Sequence, residues 1–234
     1  MKQIGRYLLI LIAVLALWNT IIIKPLKIFT VFLHELGHAL MAYIFGYGIR
    51  SFAINLNESG CTIAQSKGWF STFMIANGGY MGSIMFALLI LYLKRTPFKK
   101  FILGTLALVF LIVSIKFSGF SFTLLYSIIF TAVILVLYMI QNERIEDWVI
   151  DIIGIASAAY AVYDTFVDTI LLQLNLKFHL IDGWGGTQPQ TDAMQLAKMT
   201  HIPAVVWGVI WLAIALFAIK ATLLKTPKTS RSRR

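Results

Sequence analysis

Long apolar runs alternate with short polar connections along most of the chain. Runs at roughly 7–23, 26–48, 69–93, 100–116, 120–140, 148–172 and 203–224 each come close to or exceed the about twenty apolar residues that a helix needs to cross a bilayer. The pattern predicts an all-α polytopic membrane protein with about six to seven transmembrane helices. Lys94-Arg95-Thr96-Pro97-Phe98-Lys99-Lys100 and the stretch 141–147 read as short loops, and 173–202 as a longer, Gly-rich connection.

One stretch breaks this rhythm. Residues 49–67, IRSFAINLNESGCTIAQSK, are too polar to span. Ile49 to Leu56 and Cys61 to Ser66 are β-leaning, and Asn57-Glu58-Ser59-Gly60 between them is turn chemistry. A short β-hairpin is expected here. Asn77-Gly78-Gly79-Tyr80-Met81-Gly82 falls inside the following span. Small residues there suit close helix packing, with a weaker substrate-binding role for Asn77, Gly78 and Gly79 as the alternative.

Composition agrees with the pattern. The chain is 59% hydrophobic and 13% charged, against about a quarter charged in soluble domains. It reads as one transmembrane domain over 1–224 with a basic tail over 225–234, multi-pass and integral to the membrane (the cell membrane, if the source is prokaryotic). The first run follows Lys2 and Arg6 and has no clean small-x-small cleavage site, so it is expected to stay as a span. Cys61 is the single cysteine, which excludes an intramolecular disulfide or a thiolate metal cage. The net charge of +10 is weighted toward Lys220, Lys225, Lys228, Arg231, Arg233 and Arg234. A basic end after a last span suits anionic lipid, not nucleic acid. No nucleotide-binding domain is visible.

Within VFLHELGHAL, in the second run, His34, Glu35 and His38 fall inside five residues. On a helix, side chains four apart share one face. Two imidazoles can then reach one metal ion, and the intervening glutamate can take a proton from water activated by that metal. Ionisable residues inside a span cost roughly 2.5–3.5 kcal/mol each, so a cluster with ligand spacing points to function. A catalytic zinc needs a third protein ligand. Asp164 and Asp168, four apart and deep in the sixth run, lead the search. Asp182 and Asp192, in the polar connection, follow them. The second member of the Asp164/Asp168 pair is expected beside the metal as an orienting or alternative ligand. Asp151 reads as interfacial, and His179 and His201 as loop or cap residues.

HELGH in an early span, a hairpin just after it and a glycine cluster in the next span resemble the site-2 protease family of intramembrane zinc metalloproteases. Tyr163-Asp164-Thr165-Phe166-Val167-Asp168, Thr191-Asp192-Ala193 and Val206-Trp207-Gly208-Val209-Ile210-Trp211 resemble a small divergent branch of it. The resemblance covers about residues 25–212. It implies a zinc-dependent endopeptidase that cuts peptide bonds in or near transmembrane segments of protein substrates. It implies one Zn2+ per chain, held by His34, His38 and a later aspartate, with Glu35 as base. Asp164 is the first choice for that aspartate. Better-known members carry an Asp-Gly pair at this point; Asp164 and Asp168 lack the glycine and Asp182-Gly183 has it. A catalytically silent metal-binding scaffold and a metal or ion transporter are the alternatives. With seven spans, charge bias puts the C-terminal tail in the cytoplasm and the hairpin outside, whereas the resemblance implies a hairpin facing the cytoplasm.

Overall fold

The computed structural model describes residues 3–181 and 191–223. Asp182 and the tail 225–234 lie outside the described residues. The helices are α1 (Gln3–Ala16), α2 (Lys24–Phe45), α3 (Trp69–Leu93), α4 (Ile102–Phe117), α5 (Phe122–Ile140), α6 (Glu143–Thr165), α7 (Leu172–Phe178), α8 (Asp192–Thr200) and α9 (Ala204–Leu223). A 3-10 turn at Pro97–Phe101 leads into α4, and a π turn at Phe166–Leu171 joins α6 to α7. The expected hairpin forms from β1 (Ile49–Ile54) and β2 (Gly60–Ala64), antiparallel, with a register irregularity between Ile49 and Ser51.

Six helical segments among the described residues are long and apolar enough to cross a membrane, beginning with Lys24–Phe45 and ending with Ala204–Thr222. The protein is a multi-pass integral membrane protein. The first expected span does not form as one helix. Residues 17–23, which include Trp18-Asn19-Thr20, are turns, so α1 stops at Ala16. Its 14 residues cover about 21 Å, short of the ~30 Å hydrocarbon core.

Contacts give the direction of each pass. Phe45 meets Phe70 with ring centroids at 5.8 Å, so α2 and α3 are antiparallel. Lys94 meets Asp151 at 2.6 Å and Tyr80 meets Asp168 at 3.3 Å, so α3 and α6 are antiparallel too. Arg6 pairs with Asp151 at 2.5 Å and Trp18 stacks on Tyr160 at 5.8 Å, which lays α1 parallel to α6. Helices α1 and α2 therefore run the same way and make one broken pass. Trp211 stacks on Tyr80 at 4.7 Å and Arg95 reaches the Thr222 carbonyl, so α9 returns alongside α3. The start of α1 and the end of α9 share one end of the bundle. Asp151, expected near the membrane interface, lies at that end of the bundle and is fully buried between Arg6 and Lys94.

Close approach of α2 and α3 positions everything that follows. A Cβ on Gly37 would strike the Gly78 carbonyl, and one on Gly82 would come within 2.6 Å of the Gly37 Cα. Only small residues permit this contact. The hairpin leaves the end of α2 and folds back along it. Its tip is held by Lys27 to Glu58 at 2.7 Å. Strand β1 docks on α4 and α5: Ser118 Oγ donates to the Phe52 carbonyl at 2.6 Å, and the Ile54 amide donates to Thr123 Oγ1 at 2.8 Å. Phe32, stacked on Phe110 at 4.0 Å, packs over Phe52 at 5.9 Å.

Arg6, Lys94, Arg95, Lys99, Lys100, Arg144 and Lys220 gather at the end where α1 starts and α9 stops. Counted together with the basic residues that follow α9 in the sequence, they lead the positive-inside tendency to predict a cytoplasmic location for that end and the opposite side for the root of the hairpin. A reporter active only in the cytoplasm, fused after α9, will give signal, and the same reporter inserted between β2 and α3 will be silent. The reverse pair of signals would show that packing overrides charge.

Candidate metal centre

His34 and His38 project from one face of α2, one turn apart, with their Nε2 atoms 3.2 Å from each other. The carboxylate that meets them is Asp192. Its Oδ2 lies 3.2 Å from His34 Nε2 and 3.1 Å from His38 Nε2. His38 Nδ1 donates to the Ile75 carbonyl at 2.8 Å. A carbonyl can only accept, so the Nδ1 carries the proton and the Nε2 of a neutral ring turns its lone pair toward the other two atoms.

This set fits a tetrahedral metal. Ligand atoms about 2.0–2.1 Å from zinc lie roughly 3.3–3.4 Å from one another, and the three observed edges are 3.1–3.2 Å. Among the described residues, these three are the group of His, Cys, Asp and Glu whose ligand atoms converge closely enough to hold an ion. Asp192 Oδ2 is buried without a hydrogen-bond partner, as expected of an oxygen kept for a cation.

Helix α8 brings Asp192 into place. Thr191 caps it by accepting from the Met194 amide, and Ala193 and Leu196 bury against Ala76 and Tyr80 of α3 and Trp211 of α9. The Trp69 indole donates to the Met199 carbonyl at 3.3 Å and pins the far end. Asp192 sits in the first turn, where the helix dipole favours negative charge. Burial pushes its carboxyl up; positive charge on the facing His38 and His34 overrides burial and holds it below the usual carboxylate range, a part that a bound cation would take over with the imidazoles neutral.

Glu35 is 6% exposed, and its Oε2 is buried with no partner. It lies against the hairpin: a Cβ on Gly60 would strike its carboxylate. Thr62 Oγ1 donates to the Glu35 carbonyl at 3.3 Å. Beyond Glu35 and the imidazoles opens a cavity of about 770 Å³, walled by α2, β2, α3, α6 and α8. Cys61 also faces it. Partial burial first, and the Glu35 charge second, push the Cys61 thiol up, which disfavours a competing thiolate.

Asp164 and Asp168 line this cavity but do not join the three converging atoms. The carboxylate that converges with the imidazoles is that of Asp192 and not that of Asp164, because α8 folds back against α3. Asn77, Gly78 and Gly79, weakly expected to bind substrate, do not line the cavity. Asn77 accepts from the Trp211 indole at 2.8 Å, and Gly78 packs on Gly37. A Cβ on Gly79 would strike both imidazoles, so this glycine lets α3 pass behind the ligands. His201 ends α8 and His179 ends α7, both with positive φ, and neither lines the cavity. Asp192 did carry a sequence signal. Thr191 precedes an apolar i, i+3, i+4 pattern at Ala193, Leu196 and Ala197, the mark of a capped amphipathic helix.

Residues 7–222 match the family model described as Peptidase M50B-like. The chain belongs to that family. No curated protein and no solved structure matches it. The match to a Peptidase M50B-like model runs from α1 through nearly all of α9 and so takes in α2, the hairpin and α8 alike.

A metal held by His34, His38 and Asp192 has a direct consequence for binding. Protein purified in detergent with zinc supplied will carry about one zinc per chain as wild type and as Asp164→Ala. His34→Ala and Asp192→Ala will lose affinity by more than the roughly 10–100-fold that an outer partner contributes. Zinc kept in Asp192→Ala and lost in Asp164→Ala would return the ligand to α6.

Proposed function

We propose that this protein is a zinc-dependent intramembrane endopeptidase that hydrolyses peptide bonds in or near transmembrane segments of membrane proteins. The observation that carries the reading is the convergence of His34, His38 and Asp192 at 3.1–3.2 Å on a cavity that Glu35, with its Oε2 buried and unpartnered, also lines. Membership of a peptidase family supports it. When bound, zinc supplies a Lewis acid that polarises the scissile carbonyl and makes water a nucleophile near neutral pH.

The chain's own residues do the rest. Glu35 takes a proton from the attacking water and returns it to the leaving amine, as a general base and then a general acid. Its burial against Gly60 fixes it at the cavity wall. Packing of α2, α3, α6 and the hairpin separates the chemistry from lipid, which would not supply water.

A transmembrane substrate hides its peptide bonds in helical hydrogen bonds and must unwind before it is cut. Strand β2 offers a place to hold it. Its partner β1 is docked on α4 and α5, whereas β2 faces the cavity through Gly60, Cys61, Thr62 and Ala64. An extended substrate segment added to that edge would lie beside Glu35.

The test uses single-span reporter proteins reconstituted with the zinc-loaded enzyme. Wild type cleaves at least one of them, and chelation stops cleavage. Glu35→Gln keeps its zinc and loses at least about 10²-fold in rate. Single prolines at Cys61, Thr62 and Ile63 lower kcat/KM with zinc retained wherever the lost N–H pointed away from β1. Cleavage that persists in Glu35→Gln would overturn the base assignment, and indifference to all three prolines would overturn the edge.

A further inference from the structure

A second cavity, of about 660 Å³, lies on the face of α2 turned away from the metal ligands and shares no lining residue with the first. Leu36 and Leu40 of α2 form its floor. Phe86 and Leu93 of α3 make one wall, and Leu106 and Val113 of α4 the other. Helix α4 meets α3 at the Pro97–Phe101 turn and beyond it packs on α5 and β1, which leaves a slot between the two helices. Close-packed interiors leave few voids larger than a water molecule, so a gap of this size takes an occupant.

The dimensions of the slot select that occupant. The 16 residues of α4 run its length, about 24 Å. Its mean cross-section is therefore about 28 Å². An α-helix about 10 Å across covers about 80 Å², so a span of a substrate or of a second copy is too wide to enter. A hydrocarbon chain, whose carbons lie about 3.5–4.0 Å from their neighbours, covers about 20 Å² and fits. The longer stretches of this chain outside the described residues, DGWGGTQPQ over 182–190 and KTPKTSRSRR over 225–234, have no apolar run to fill it.

The two ends of the slot differ. At the hairpin-root end, Tyr43 and Phe117 face each other with ring centroids 6.4 Å apart and close it. At the other end Phe98 and Phe101 line the mouth and are exposed. The Lys100 ammonium lies there, 5.0 Å from the centre of the Phe101 ring, and Tyr138 fixes the backbone by donating to the Lys100 carbonyl at 3.0 Å. The neighbouring Lys94 and Lys99 are held by Asp151 and Asp147. Lys100 forms no ion pair with a described residue. A free cation thus stands at the open end of a blind apolar slot one hydrocarbon chain wide.

We propose that this slot binds one acyl chain of an anionic phospholipid, with the headgroup phosphate on Lys100. A chain entering there crosses one leaflet, about 15 Å of hydrocarbon, and stops short of Tyr43 and Phe117. Its methylenes take the place of side chains between α3 and α4. The lipid thereby ties α3, whose Gly78 and Gly79 pack behind the metal ligands, to the unit of α4, α5 and β1. This inference is independent of the endopeptidase reading.

The test is lipid titration of the full chain, purified in detergent and washed free of its own lipid, followed by native mass spectrometry. The probes are palmitoyl-oleoyl phosphatidylglycerol and phosphatidylcholine with the same chains. The first binding event is expected to favour phosphatidylglycerol by at least about fivefold, the attraction that one basic side chain adds toward anionic lipid. Lys100→Gln removes the preference. Lys116→Gln, beside Phe117 at the closed end, leaves it unchanged. Inorganic phosphate does not compete, because the chain supplies most of the binding. Val109→Trp and the milder Leu89→Phe, which fill the slot from opposite walls, abolish the first event while the unfolding temperature is kept. Equal binding of the two lipids by wild type would overturn the proposal, as would a preference untouched by Lys100→Gln or lost equally in Lys116→Gln. Displacement by inorganic phosphate would reduce the site to a bare anion contact and overturn the slot. Undiminished binding in a folded slot-filling variant would do the same, and a dimer that excludes lipid would give this face to a second copy. Should neither filled variant fold, the contrast between Lys100→Gln and Lys116→Gln decides alone.

Discussion

Two imidazole nitrogens and a carboxylate oxygen, each turned toward the other two at 3.1–3.2 Å, repel one another unless a cation lies between them. In a membrane interior that repulsion is poorly screened. The rest of the fold serves to hold these atoms together. Gly37, Gly78 and Gly82 let α2 and α3 touch backbone to backbone, and Gly79 leaves the space the imidazoles fill. Helix α8 is too short and too polar to span. It exists to present one carboxylate, clamped by Ala193 and Leu196 in the groove between α3 and α9. The Ile75 carbonyl sets the His38 tautomer that the arrangement needs.

The hairpin solves a second problem. On the proposed reading, a site buried among helices has to exclude lipid and still admit an extended chain. Strand β1 gives its outer edge to Ser118 and Thr123, and its side chains join the aromatic core around Phe32 and Phe110. Strand β2 is left facing the cavity, with Gly60 against Glu35. One strand anchors while the other lines the site, and the cavity wall beside Glu35 stays open to a partner.

How much of this was legible in the sequence depends on range. His34, Glu35 and His38 could be read because helical periodicity brings them together within five residues. The hairpin could be read because turn chemistry at 57–60 sits between β-leaning runs. The carboxylate could not, since tertiary packing alone joins α8 to α2. Ranking aspartates by depth in an apolar run favoured Asp164, and that criterion passes over a short amphipathic helix folded back into the bundle, which brings Asp192 to the imidazoles. The first run misled for a local reason: a hydropathy window passes over Trp18-Asn19-Thr20, whereas the backbone turns there and splits one pass between α1 and α2. The burial of Asp151 at one end of the bundle was not legible because Arg6 and Lys94, which cover it, lie on other helices.

Everything in this site turns on one metal ion between α2 and α8. Diffraction at the zinc absorption edge, from crystals grown with zinc, would locate it. One strong anomalous peak is expected about 2.0–2.2 Å from His34 Nε2, His38 Nε2 and the Asp192 carboxylate. A peak between Asp164 and Asp168 with none at the histidines, or no peak at all, would contradict it.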